Sequence, residues 1–407
     1  MLQRRHARRD ATTIPYLSDE LVSEILARIP VEPLLRFRSV CKAWRGIIDE
    51  DSFHREHLRL HQTSSLLVAP WIGENDDDGP FASSTGEVTA AGFYQWDGKQ
   101  QDAATLVHAM PDYHNKMEAL HSMAHCDGLV LLPADDTVHV VNPATRRTIA
   151  LPPTPNAVFQ GPQQAFGLGH DPCSNTYKVA RLYVHRDRCT PGGDTVRMGV
   201  CTIGKGLCWR DAAVSPPPHH FMPRRTATFF KGSLLWIVKQ VVPHGSPAAP
   251  SFIRFRLEDE SFRIVRAPPC TPRLDYKASS LTELRGELCV CAPRVAYDHA
   301  VFEMWMCGDL DDGVNPPRWD LRHVITGPFL FRSFIPKTAA GDAVVFHFQE
   351  DFLYYCNLQT PVFNMKDVIE MGHLRYHHLD TDKFVEYTRK IVANFYVISY
   401  VPSLVRI

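Results

Sequence analysis

One phrase recurs along the chain: an apolar strand, a polar turn, a second strand and then a pair of prolines. It reads "VHVVNPATRRTIALPP", then "MGVCTIGKGLCWRDAAVSPP", then "FIRFRLEDESFRIVRAPP", with the pairs opening at Pro152, Pro216 and Pro268. The steps are 64 and 52 residues. Proline lacks the N–H that extends a ladder, so each pair marks where a strand must stop. Two later hairpins, "FEMWMCGDLDDGVNPPRWDLRHVI" and "FLYYCNLQTPVFNMKDVI", keep a comparable step without a proline pair after the second strand. Short strands with turn signals at this period suit a sandwich, a barrel or a propeller, and the repetition favours four-stranded propeller blades. Five or six units are expected. The last strands, "FYVISYVPSLVRI", are expected to complete a blade begun near the start of the β region. Residues 73–104, with "GENDDDGP", read as long polar loops.

The N-terminal part follows a different period. In "LSDELVSEILARIP", Ser18 is an N-cap candidate, with Asp19 and Glu20 in the first turn, where carboxylates suit the helix dipole. Leu21, Val22, Ile25, Leu26 and Ile29 recur at helical spacing before Pro30. A second helix is expected from about Glu32, with Pro33 in its first turn, where a missing N–H costs nothing. "SVCKAWRGII", Ser39 to Ile48, reads as a third, with Cys41 packed inside it. Three short helices cannot hide so many apolar side chains in one interior. A unit this small needs a staple or a partner, and it has a single cysteine and no metal-ligand cluster.

"LSDELVSEILARIPVEPLLRFRSVCKAWRGIIDEDSFHREHL" closely resembles the F-box, the helical module that docks on the Skp adaptor of cullin-based ubiquitin ligases. In the family a proline usually follows the leucine at Leu17; here Ser18 does, and a proline stands at Pro15. From about residue 119 on, "HCDGLVLL", "VVNPATRRTIALPP", "FGLGHDPCSNTYKVARLY", "FFKGSLLWIV", "LTELRGELCV", "FEMWM" and "YVPSLV" resemble the kelch-like F-box-associated domain of plant F-box proteins. A strict kelch Gly-Gly doublet per repeat is absent. The fold expected is therefore α+β and multidomain: a basic tail (1–13), a three-helix F-box (14–58), a linker with first strands (59–118) and an all-β, propeller-like domain (119–407).

The resemblance implies a substrate receptor that binds the Skp adaptor, and through it the cullin scaffold, with one part and a target protein with the other. Candidates for the adaptor face are Leu17, Leu21, Ile25, Leu26, Ile29, Pro30, Val31, Leu34, Leu35, Val40, Cys41 and Trp44. Some of these must instead form the module's own core. The target and the loops that would hold it stay open. A glycan- or peptide-binding propeller that assembles no ligase is the alternative.

Chemistry has little foothold in this chain. There is no Gly-x-Ser-x-Gly elbow, and "GLG" and "GKG" lie in β-turn contexts without a following helix. His54 and His57 read as surface positions closing the F-box, and His373 and His377 as solvated. No catalytic residue, metal or cofactor is expected. The formal net charge of −1 provides no bulk attraction to nucleic acid or an anionic membrane. Neither a signal peptide nor an apolar run long enough to span a bilayer is read. The 11 cysteines are scattered and odd in number, which suits reduced thiols in the nucleus or cytoplasm. Cys289 and Cys291 alternate with Leu288 and Val290, so both should face one side of a strand. "MLQRRHARRD" reads as a solvated tail, with a weak nuclear-import or phosphate-contacting patch as the other reading. Trp209, Trp236, Trp305, Trp319, Tyr354 and Tyr355 are expected between blades.

Overall fold

The computed structural model describes residues 17–61, 65–72, 91–98, 103–110, 122–134, 137–153, 163–185, 195–204, 206–240, 250–269, 279–295, 299–310, 317–328, 334–340, 343–348, 351–360, 363–379, 381–385 and 392–407. The basic tail, the "GENDDDGP" loop, Cys189 and Cys270 lie outside them. The chain divides into two compact units, Met1–Gln62 and Thr63–Ile407.

The first unit has four helices where three were expected: α1 (Asp19–Leu26), α2 (Val31–Phe37), α3 (Lys42–Ile48) and α4 (Asp51–Leu60). The stretch from Ser39 is not one helix. Ser39 and Val40 close the turn after α2, and Cys41 is the N-cap of α3, its Sγ accepting the Trp44 N–H at 3.4 Å. A capping residue stands in extended backbone outside the helix, so Cys41 is exposed and not packed. Ser18 caps α1 as its sequence suggests, accepting the Leu21 N–H. The fourth helix carries Phe53 and His57 one turn apart, and both are buried.

The second unit is a ring of six sheets. Its first strands are β1 (Ser65–Ile72), β2 (Ala91–Trp96) and β3 (Ala104–Met110). Blade I holds β4 (Ala124–Cys126), β5 (Leu129–Pro133), β6 (Val138–Asn142) and β7 (Arg147–Ala150). Blade II holds β8 (Gln164–Asp171), β9 (Thr176–His185), β10 (Thr195–Thr202) and β11 (Trp209–Asp211). Blade III has its inner strand in two pieces, β12 (His219–Phe221) and β13 (Thr228–Phe230), both paired with β14 (Ser233–Gln240), followed by β15 (Pro250–Arg256) and β16 (Phe262–Arg266). Blade IV holds β17 (Ser280–Leu284), β18 (Glu287–Val295), β19 (His299–Cys307) and β20 (Asp320–Pro328). Blade V holds β21 (Ile335–Ala340), β22 (Ala343–Phe348), β23 (Phe352–Asn357) and β24 (Val368–Glu370). After β25 (Tyr376–His378) and β26 (Lys383–Val385), the last strand, β27 (Val392–Tyr400), pairs antiparallel with β1 and so closes blade VI.

Each recurring phrase proves to be the outer hairpin of a blade: β6–β7, β10–β11, β15–β16, β19–β20 and β23–β24. The proline pairs follow the outermost strands of blades I, II and III, where the chain must leave the ladder for the next inner strand. Three inner hairpins turn on two residues with positive φ: Asp127-Gly128, Lys231-Gly232 and Arg285-Gly286. That geometry matches the right-handed twist of the flanking strands. The stretch read as polar loops contains a strand after all, β2, because Phe93, Tyr94 and Trp96 are fully buried there. Likewise the region read as a linker supplies β1–β3 of blade VI.

Six apolar clusters fill the six gaps between neighbouring blades. Strand alternation feeds two of them at once. Leu66 and Val68 of β1 pack toward blade V, while Leu67 and Ala69 pack toward blade I. Cys289 and Cys291 do share a face, the one toward blade V, while Leu288 and Val290 pack toward blade III. Trp236 and Trp305 sit in inter-blade clusters. Trp319 packs on Phe252 across blades III and IV and donates its Nε1–H to the Arg266 carbonyl. The ring is latched beside blade I: Asn142 donates through Nδ2 to the carbonyls of Ser403 and Val405, and Val405 and Ile407 pack on the blade I–II cluster. Gly128 is required at this latch, since a Cβ there would fall on Ser403 Oγ and the Val401 carbonyl.

Candidate functional site

Within the helical unit the apolar residues divide by exposure. Leu26, Val31 and Leu34 are buried with Ala27, Ile48 and Phe53, and form the unit's own small core. Ile29, Leu35 and Trp44 are half-buried. Trp44 meets Phe37 edge to face, centroids 5.6 Å apart, and so ties α3 to α2. The remaining candidates, Leu17, Leu21, Ile25, Pro30, Val40 and Cys41, are exposed. Leu17, Leu21, Ile25 and Val40 stand at 52%, 50%, 53% and 59% exposure, values that place them on the surface.

Helix geometry explains the pattern. Leu21 and Ile25 are four apart and share one face of α1, which Leu17 continues just before the helix begins. Leu26 is rotated onto the opposite side, where it meets the core. Arg28 and Glu24 pair one turn apart on exposed positions, and Arg38 bridges to Asp49 at 2.8 Å.

His57 corrects the surface reading of "HREH". It is buried, stacks on His61 with centroids 4.1 Å apart, and bonds through Nε2 to the Ile29 carbonyl at 2.9 Å. A carbonyl only accepts, so Nε2 carries the proton. Burial pushes the imidazole below its usual pKa, against the pull of that carbonyl, and His61 and His54 lower it further. Residue type alone hid this role; the signal was the Phe53–His57 spacing on one helical face. Leu60, also exposed, was missed as part of the apolar surface.

In the β unit, His373 is exposed and 3.7 Å from Glu370, while His377 meets Asp382 at 3.0 Å and stacks on Phe384. Among the described residues no group of three or more His, Cys, Asp or Glu could hold a metal ion. No described helix is long and apolar enough to cross a membrane. Burial raises the thiols of Cys289 and Cys291, which keeps them protonated and unreactive.

The family model of the F-box associated beta propeller domain matches residues 89–373, and that of the F-box domain matches residues 14–56. The F-box/kelch-repeat protein At2g43270 of Arabidopsis thaliana is 24% identical over 240 residues, 54% of this chain and 98% of that protein. The putative F-box protein At3g21120 of the same plant is 22% identical over 409 aligned residues, 96% of this chain and 99% of that protein. Among solved structures, apo AztD from Citrobacter koseri aligns at a TM-score of 0.38 and 7% identity, over 84% of this chain and 100% of that one, a likeness too slight to carry function.

Proposed function

This chain belongs to the F-box proteins that carry an F-box-associated β-propeller domain, and from that membership we propose that it is a substrate receptor of an Skp–cullin–F-box ubiquitin ligase. The helical unit binds the Skp adaptor, and through it the cullin scaffold; the propeller binds a target protein, whose ubiquitination and degradation follow. The observation that carries this reading is the exposed stripe of Leu17, Leu21 and Ile25, with Val40 exposed as well, on a unit whose own core is made by other residues. Fully burying such a side chain is worth about 1.5–3 kcal/mol, and each of these has roughly half of that still to gain. Leu26, Val31 and Leu34 are buried in the unit's own core, and we assign the adaptor contact to the exposed candidates.

The mechanism is positional. Holding the target beside the charged conjugating enzyme raises its effective concentration there, and no side chain of this chain needs to make or break a bond. Target contacts fall to the loops at the propeller's ends, which vary without disturbing the inter-blade clusters. Residence is in the nucleus or cytoplasm, in keeping with buried cysteines that pack as small apolar side chains. The test is copurification of the full chain with the adaptor. Replacing Leu21 and Ile25 together by Asp should abolish it while the thermal unfolding of the propeller is unchanged. Retained copurification in that variant overturns the assignment of this face. A wild-type chain that ignores the adaptor and binds a glycan or peptide array overturns the receptor reading itself.

A further inference from the structure

Six inner strands ring the propeller axis and enclose a passage between them. Three basic side chains stand on its wall, one from every second blade. His125 is on β4 of blade I, Arg225 on the segment entering β13 of blade III, and Lys337 on β21 of blade V. Lys337 lies within electrostatic reach of both His125 and Arg225, although blades I, III and V do not adjoin, so the three groups converge across the ring.

Local backbone devices aim two of them. Lys337 is the unpaired residue of a β-bulge, where the register jumps from Pro336 to Thr338. Arg225 follows Arg224, which has a φ of 62° and re-aims the chain. A pocket lined in part by Arg225, Thr226, Thr228 and Leu281 opens beside it. The Arg225 guanidinium donates to the Ser279 carbonyl of the next blade.

All three are half-buried, in contact with solvent yet enclosed by the ring. Among the described residues, the side chains of His125 and Lys337 form no hydrogen bond or ion pair. Their charged neighbours are alike in sign. Burial and Arg225 push the Lys337 ammonium down to about 8, and burial and Lys337 push His125 down to about 4. His125 is therefore neutral near pH 7, whereas the Lys337 ammonium stays largely charged, and enclosing it beside Arg225 costs stability unless an anion compensates it. We propose that the axial passage binds a small polyanion of the phosphate class, held by Lys337 and Arg225 with the neutral His125 beside them.

Inorganic tripolyphosphate is the probe. Titrated calorimetrically into the full chain at constant ionic strength, it should bind saturably. Lys337→Met should weaken binding about tenfold or more, the loss expected on removing a charged donor, whereas Lys337→Arg should retain it. A footprint on the unmodified protein needs no variant: acetic anhydride should label the Lys337 amine, and tripolyphosphate should protect it. No saturable binding, or equal affinity in Lys337→Met, overturns the proposal. If that variant does not fold, the footprint decides, and labelling of Lys337 unchanged by tripolyphosphate overturns it.

Discussion

Leu66 and Leu67 are neighbours on β1 and both are wholly buried, because a blade has another blade on each face. Leu21 and Ile25 are one turn apart on α1 and both remain half exposed, because a four-helix unit of about 45 residues has only one interior. The β unit repeats one hairpin until the sheets close on themselves, and closure gives every blade a neighbouring blade to pack against on each face. The helical unit cannot close in that way. Its leftover apolar face is what a second protein can complete, so incompleteness in one region carries recognition and completeness in the other carries rigidity.

The contrast can be broken by experiment. The largest effect is expected inside the ring, at Lys178. Its ammonium is buried against Asp171 at 2.9 Å, Glu260 at 3.4 Å and the Leu257 carbonyl. Burial opposes the charge of Asp171, but hydrogen bonds from Ser174, Lys178 and the backbone of Cys173 and Ser174 hold its pKa down to about 2. Lys178→Met leaves the buried Asp171 without its cation, while Glu260 keeps Arg210, and should cost the β unit roughly 3–5 kcal/mol in denaturant unfolding, with adaptor binding unchanged. Next is Leu34→Ala in the small helical core, expected to cost about 3 kcal/mol. Hydrogen exchange on the full chain should show residues 17–61 opening while the blades stay protected. At the ring's latch, Asn142→Ala leaves the carbonyls of Ser403 and Val405 without their donor and should cost about 1–3 kcal/mol.

Leu21→Ala sharpens the comparison from the other side. It should shift stability by no more than about 0.5 kcal/mol, as surface changes do, yet weaken adaptor binding in a titration. If it destabilised the unit as Leu34→Ala does, the division between core and face would fail. The smallest effect is set by pH. His57 has a folded-state pKa below the usual imidazole value of about 6.5, so the unfolded chain takes up its proton first. Its contribution is complete above that value and is lost as pH falls below it. The protection factor of α4, corrected for the intrinsic pH dependence of amide exchange, should therefore fall on acidification, and His57→Gln should flatten that dependence.

Much of the architecture was legible because it rests on local periodicity. The strand–turn–strand–proline phrase marked outer hairpins, and the Leu21, Ile25, Leu26 spacing marked α1. Where reading by residue failed, composition and packing disagreed. "AGFYQW" sits in a polar stretch but forms a central strand of blade VI, because β1 on one side and β3 on the other pair with it. "SVCKAWRGII" looked like one helix, but Cys41 in extended backbone caps a shorter one. His57 passed for a surface residue until α4 folded it under the Ile29 carbonyl.

By itself the sequence determined the two periods, 3.6 in the first 60 residues and 2 beyond, and with them a helical head and a β-rich body. Those periods depend on neighbours in the chain, so they are written locally. Only the tertiary structure decided that β27 closes the ring on β1, which of the head's apolar residues turn outward, and that Lys337 comes within electrostatic reach of both His125 and Arg225. Each of those facts joins residues far apart in sequence, and packing alone brings them together.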